Sequence, residues 1–477
     1  MKFKYIYTLI LSVVLFTSCE VVGSINDIKP EGVLTDETLI TDNVSAQVAL
    51  NGIYKSWRSY DISVFRNLMN VLTKVQSFST VMGESPDFRN NDIQIDNIPV
   101  QNFYTALYYV INSANTFIKN VESKEIPGLS DLERANMLAQ AKFHRAMAHL
   151  MLLRSYGEFY DLSSAKGIVI CKEPVRENIS QARASVKDVY SFIESDLEYA
   201  AQNINDVTEG PYIVNKTAVL ALQTKVALYK NEFSKVIALA NSTLQQAEVS
   251  GNSIEYSYLD IFTSVFKSNE ILFTLYTSNP DETLISAWSP FSMGATGSGI
   301  TAISMELWGS TDPDLMTGTD IDPRFGQTFA YFLQLGPNGI NKYIKDNIVV
   351  GAESNTYYFL RLAEVYLMKA EAAARLKEYD VAKEALKVIT DRAGYADTYV
   401  DNLENDQLLV YILKHKYIEL MAENNEDWYD FVRYYKLDKL DASTLGMAIS
   451  MKHLILPIPK AAIAGNNLLI QNDNYEK

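Results

Sequence analysis

Two stretches of the chain share one design, and that design leaves few architectures open. Ala218, Leu222, Val226 and Tyr229 recur at helical intervals, and after the turn "KNEF" (230–233) so do Phe233, Ile237, Ala240 and Leu244. Leu362, Tyr366, Ala370 and Ala373 form a second such stripe, followed by "LKEYD" (376–380) and then by Tyr379, Ala382, Leu386 and Ile389. Residues three or four apart fall on one face of a helix. Each stretch therefore predicts two helices folded back on each other. An aromatic ring opens each second helix, and alanine stands where the backbones cross closely. This is the pattern of a tetratricopeptide-like helical pair, a unit that must stack on neighbours to bury its apolar face. The matching aromatics, Phe233 and Tyr379, are 146 residues apart. The array is thus not a simple tandem one, and a large segment is inserted between its units.

The rest of the chain supports a mainly α fold. Helical spacing of apolar residues is visible in 45–57, 102–121 and 185–204. Ser130 and Glu133 predict a capping box before a long helix ending near Tyr156, with Gly157 at the expected cap. Glycine (21) and proline (13) are sparse, which favours helices over turn-rich β structure. The insert differs: "EILFTLY" (270–276) reads as a short strand, and a Ser-, Thr- and Gly-rich loop follows within 277–350. The predicted fold class is a tetratricopeptide-like helical-pair scaffold with a loop-rich, minor-β part. "FLRLAEVYLMKAEAAARL" (359–376) reads as one helix. Glu364 and Glu371, paired with Arg361 and Arg375, mark its wet face, and Leu362, Tyr366 and Ala370 its packed one.

The first 18 residues read as a processing signal. Lys2 and Lys4 precede the apolar run "YIYTLILSVVLF" (5–16), and small residues lead to Cys19. This looks like a bacterial lipoprotein signal peptide cut before Cys19, whose sulfur is then acylated. No other stretch is long and apolar enough for a membrane helix, so the lipid is the expected anchor. Beyond the signal (1–18), the expected regions are 19–250 and 251–477, the latter including the loop insert 277–350. Cys171 has no disulfide partner and reads as a small packed residue. The net charge of −16, with no basic run, argues against nucleic acid as a partner.

Few residues announce chemistry. "MGATGSGIT" (293–301) lacks the lysine of a phosphate loop, and the four histidines have no metal-ligand spacing. Glu419, Glu423, Glu426 and Asp427 cluster in "ELMAENNEDWYDF" (419–431). They are either a solvated helix end or, as an alternative, the carboxylates of a glycan hydrolase. Flat aromatic rings in polar loops are the better binding signal. Trp288 and Phe291 lie in the insert, and Phe88 and Arg89 in the polar stretch "GESPDFRNND" (83–92). These four are the candidate ligand contacts. Trp57 and Trp428 fall in helical patterns and read as core.

Six motifs in register resemble the RagB/SusD family of outer-membrane lipoproteins. They are "LNGIYKSW" (50–57), "AQAKFHRAMAHLMLLRSYGEFYDL" (139–162), "NKTAVLALQTKVALYKNEFSKVIALA" (215–240), "IDPRF" (321–325), the 359–376 helix, and "LPIPKAAIAGNNLLIQNDNY" (456–475). The chain departs from the family at "ENNEDWYDF" (423–431), which lacks the Gly and Arg of E-G-x-R-W-x-D-L but keeps Trp428 and Asp430. It also has only Glu20 as an acidic residue next to Cys19. The resemblance implies a binding protein rather than an enzyme, with the ligand surface in the loop-rich part. Such a protein captures a glycan, or in some relatives a peptide, outside the outer membrane. It then delivers the ligand to a SusC-like TonB-dependent β-barrel. An adaptor with protein partners only is the remaining alternative. No cofactor is implied, and a structural Ca²⁺, which some relatives bind, has no assignable position.

Overall fold

The computed structural model describes residues 39–75, 85–177, 179–205, 210–264, 267–276, 322–324, 358–440 and 449–475. Cys19, Trp288 and Phe291 lie outside the described residues, as do the signal stretch 1–18 and most of the insert. Helix α1 (Asn43–Ser56) opens on a capping box made by Asp42 and Ser45. Helix α2 is Tyr60–Leu72, α3 Ser85–Asn90 and α4 Ile98–Ser123. Helix α5 (Asp131–Tyr156) carries the predicted Ser130–Glu133 capping box, and α6 is Val186–Asn203.

The two repeated stretches are helical hairpins. The first is α7 (Lys216–Tyr229) with α8 (Phe233–Val249). A short helix α9 (Asp260–Thr263) leads to strand β1 (Ile271–Thr274). Strand β2 (Tyr358–Arg361) then precedes the second hairpin, α10 (Leu362–Arg375) with α11 (Tyr379–Arg392). Both hairpin turns place one residue in the left-handed region, Asn231 at φ 61° and Lys377 at φ 64°. In both, the next N–H reaches back to a helix carbonyl, Glu232 to Ala227 (3.0 Å) and Glu378 to Ala373 (2.8 Å). This closes the orphan carbonyls at the helix end. Helix α8 packs on α10, so the two hairpins stack side by side despite their separation in sequence.

The insert leaves and returns through a two-stranded antiparallel ladder in which Thr274 faces Tyr358. The predicted strand is therefore present. Its partner takes the first residues of the stretch read as all helix, which begins only at Leu362. Helices α12 (Leu408–Glu419) and α13 (Glu426–Asp438) and the short α14 (Lys460–Gly465) complete the chain. The main core draws on residues from the end of α1 to the C-terminal tail, including Trp57, Phe103, Tyr156, Tyr229, Phe273 and Trp428. Asn425, at the position of the family glycine, takes the left-handed conformation (φ 58°) that asparagine tolerates.

One local reading holds for a different physical reason, and one is corrected. Gly157 does cap α5, but with φ −112° it needs no left-handed freedom. Glycine is needed there for space, because a Cβ would lie 2.8 Å from the Leu153 side chain and 3.1 Å from the Gly167 carbonyl. The stretch 83–92, expected to be a ligand loop, contains α3 instead. Phe88 is fully buried beneath it, edge-on to Phe65 at 6.3 Å. It packs the core and is not a ligand contact.

Candidate functional site

The carboxylates that first suggest catalysis lie inside the protein. Glu371 is fully buried and bonds Arg375 (2.9 Å), Lys416 (2.9 Å) and Arg433. Burial opposes its charge, yet Arg433, Lys416 and Arg375 together hold it well below the usual carboxylate range. Glu364 pairs with Lys225 (2.7 Å), which also reaches Glu426 (2.9 Å); Arg154 closes on Glu426 at 2.7 Å. Arg361 turns away from Glu364 and holds Glu270, Glu419 (3.1 Å) and Glu423 (2.7 Å). Arg324 of the "DPR" element joins Asp322 (2.6 Å) and Glu419 (3.2 Å), and Arg392 also reaches Glu419. The wet face expected at Glu364 and Glu371 is thus a seam of buried ion pairs between helices. The solvated helix end expected at Glu419–Asp427 is likewise buried: Glu419, Glu423 and Glu426 each meet a cation from a distant element, and Asp427 accepts from the adjacent Trp428 N–H (3.0 Å).

The same burial holds the carboxylates at 419–427 away from the surface. Burial pushes Asp427 and Glu364 up to about 7, a range suited to a general acid. Both are nevertheless about 95% or more enclosed, and neither lines any of the clefts described below. A raised carboxyl pKa has a definite sign in stability. Between the unfolded value near 4 and the folded value near 7, the folded state binds more protons than the unfolded one. The contribution is therefore lost as pH rises through that window. Asp427→Asn is expected to recover on the order of 2 kcal/mol at pH 8 and little at pH 4. Thermal melts at both pH values check this. An unchanged pH dependence would show that the Asp427 charge is not desolvated.

The residues able to meet a ligand lie elsewhere. A cleft of about 840 Å³ opens between α1, the 210–213 turn and the end of β1. Gln47, Asn51, Tyr54, Lys55 and Arg58 line one wall. They recur at helical spacing, opposite the buried stripe Ala46, Leu50 and Ile53. The Gln47 amide donates to Asn51 (2.9 Å). Tyr54 donates to Gln140 (2.6 Å) and accepts from the Val214 N–H (3.1 Å), which fixes the cleft floor. The other wall carries Tyr212 and Tyr276, with ring centroids 5.0 Å apart and planes inclined at 59°.

Both tyrosines are held from behind. The Thr274 N–H donates to the Pro211 carbonyl (2.9 Å), tying the turn to β1. Asn215 caps α7 through the Ala218 N–H (2.9 Å), while its amide nitrogen donates to Leu272 (3.2 Å). Gly210, at φ 155°, lies under the Tyr212 ring, where a Cβ would sit 2.6 Å from a ring carbon. The Arg58 guanidinium donates to the Tyr276 carbonyl. Two flat rings, amides and cations therefore converge on one open space. Such a surface suits a polyhydroxylated ligand: rings cover apolar faces, while amides and cations meet hydroxyls.

Two further clefts have a different character. One of about 360 Å³, between α4 and the C-terminal segment, is largely apolar and includes Tyr104, Tyr108, Ile179 and Leu469. Cys171 also lines it; burial pushes its thiol up to about 11, which keeps it protonated and inert. The other, of about 600 Å³, includes Tyr256, Arg324 and Arg392 at the edge of the ion-pair seam. Of the four candidate contacts, Arg89 is exposed on α3, Phe88 is core, and the insert residues lie outside the description. Tyr212, Tyr276, Lys55 and Arg58 escaped the sequence reading. The signal available was a polar helical stripe at 47, 51, 55 and 58, together with a Gly-Pro-Tyr turn.

Comparison with known proteins agrees with this architecture. A SusD-like family model, described as starch-binding associating with outer membrane, matches residues 27–228, and a SusD family model matches 331–475. SusD-like protein P38 of Formosa agariphila is 22% identical over 524 residues, covering 99% of this chain and 100% of the relative. A crystal structure of a SusD superfamily protein from Bacteroides vulgatus superposes with a TM-score of 0.75 at 18% identity, covering 92% of this chain and 100% of that one. A laminarin-binding SusD-like protein gives a TM-score of 0.70 at 20% identity, covering 91% and 100%. With matching models over both halves of the chain and a helical-pair scaffold of the same form, the protein belongs to the SusD/RagB family.

Proposed function

We propose that this protein captures a glycan and hands it to a SusC-like TonB-dependent β-barrel, acting as a binding subunit and not as a catalyst. In this reading it is anchored at the outer membrane by acylated Cys19 and faces the exterior. The observation that carries the proposal is the cleft in which Tyr212 and Tyr276 stand opposite the Gln47–Asn51–Lys55 stripe. The starch-binding description of the matching family and the laminarin-binding relative support a saccharide over a peptide. Trp288 and Phe291 follow Tyr276 by 12 and 15 residues in the chain and extend the proposed aromatic set. Arg89 remains a candidate at the periphery.

The test is calorimetric titration of the purified protein with oligosaccharides. Tyr212→Ala and Tyr276→Ala are each expected to weaken binding roughly tenfold, about 1.4 kcal/mol. The backbone carbonyl of Tyr276 that holds Arg58 survives the substitution. Full-strength binding in both variants would remove this cleft from the ligand path. Release of new reducing ends during the titration would overturn the non-catalytic reading.

A further inference from the structure

The cleft of about 600 Å³ beside the ion-pair seam is separate from the proposed glycan cleft. The two share no lining residue and lie at opposite ends of β1. Leu275 and Tyr276, just after the strand, border the first. Glu255 borders the second, and its carboxylate accepts from the Ser268 hydroxyl (2.8 Å) and the Asn269 N–H (2.7 Å), just before the strand. Tyr256 stands on the rim of this second cleft and is 96% exposed, more than any other large apolar side chain among the described residues. A tyrosine ring held in solvent offers a flat contact face at low conformational cost.

The rest of the lining supplies polar partners. Arg392 lines the cleft with a side chain only 3% exposed. Its terminal nitrogens are committed to Glu270 (3.0 Å) and Glu419, but its buried Nε–H has no hydrogen-bond partner among the described residues. A buried donor left unmet is unfavourable, and a bound hydroxyl oxygen relieves it. The exposed Asp391 carboxylate on the rim makes no hydrogen bond or ion pair among the described residues. Gly394 leaves the backbone bare nearby, since a Cβ there would meet no atom within 4 Å. Ring, unmet donor and open acceptor together match a polyhydroxylated ligand: its apolar face covers Tyr256, and its hydroxyls donate to Asp391 and accept from Arg392. The charge balance favours a neutral one. Arg392 is already matched by Glu270 and Glu419, and Arg324 by Asp322 and Glu419, while the rim adds the carboxylates of Asp391 and Glu255. We infer that this cleft is a second saccharide-binding site, which takes a neutral sugar through Tyr256, Arg392 and Asp391. The saccharide class rests on the proposed capture function, whereas the site itself is independent of the first cleft.

Calorimetry of the full chain with two neutral trisaccharides, maltotriose and laminaritriose, tests it, with hydrogen exchange to locate the bound sugar. At least one of them is expected to bind at two molecules per chain and to slow exchange over 255–258 and 391–394. Tyr256→Ala and Asp391→Ala are surface changes. Each is expected to weaken one of the two molecules roughly tenfold and remove that protection, without lowering the melting temperature or touching the other molecule. Tyr212→Ala combined with Tyr276→Ala is expected to do the reverse. One molecule per chain with no protection at 255–258, or full-strength binding of both molecules in Tyr256→Ala and in Asp391→Ala, overturns the inference and leaves capture at the first cleft standing. One molecule that protects 255–258 and is weakened in Tyr256→Ala supports the second site and overturns the first. Binding of neither trisaccharide overturns both.

Discussion

Methionine in place of Arg361 is expected to cost about 3–5 kcal/mol, enough to abolish soluble expression. Arg361 is fully buried and reaches Glu270, Glu419 and Glu423, all of them buried. Removing the cation strands negative charge in a place water cannot reach, and that is costlier than never having had the pair. Arg392 still serves Glu270 and Glu419, so the largest share of the loss falls on Glu423, where Arg361 makes a two-pronged contact at 2.7 and 2.9 Å. The double variant Arg361→Met with Glu423→Gln is therefore expected to recover part of the loss. Chemical unfolding of the four proteins of this cycle measures it. A single-variant cost below about 1 kcal/mol would mean that the network is hydrated rather than dry. The loss extends to function, since Arg361 ends the strand through which the insert returns.

Asn472→Leu is expected to cost about 2–4 kcal/mol by a different route, the abandonment of backbone carbonyls. The Asn472 amide donates to the carbonyls of Tyr156 (2.9 Å) and Leu456 (2.7 Å), and its oxygen accepts from Arg183 (2.7 Å). It thus serves the end of α5 and the C-terminal "LPIP" segment at once. Leucine fits the volume but supplies neither donor nor acceptor. Asn472→Asp keeps the acceptor for Arg183 and turns two donors into acceptors, so it is expected to fail as well. Thermal melts and limited proteolysis of 449–475 read both variants. If both retain wild-type stability, the tail is held by its apolar contacts alone.

Local order was legible in the sequence; what the helices face was not. The stripes at 218–244 and 362–389, the Ser130–Glu133 box and the 270–276 strand are written in residues within a few positions of one another, and all are present. The burial of Glu364, Glu371 and Glu426 depends on partners far along the chain. Lys225 and Glu426 are 201 residues apart, and Arg154 and Glu426 are 272. A charged residue on a helix is read as wet by default, and here that default fails repeatedly. Phe88 misleads in the opposite sense, because its polar neighbours suggest a loop while α3 turns the ring inward. The proposed ligand cleft was missed because Tyr212 and Tyr276, 64 residues apart in sequence, acquire meaning only once β1 brings them together.

Those long-range ion pairs also govern when the chain can fold. During synthesis Arg154 and Lys225 emerge long before Glu426, and Arg66 and Thr73 long before Asn425 and Tyr417, which bond to their carbonyls. Until α12 and α13 have left the ribosome, the early helices carry uncompensated charge and an open apolar seam. Closing contacts over such separations is slow and comes late. A nascent chain held back in this way stays threadable, which is the condition a polypeptide must keep to pass end-first through a secretion channel. The ionic seam that fastens the finished protein thus also delays its completion until nearly the whole chain is available.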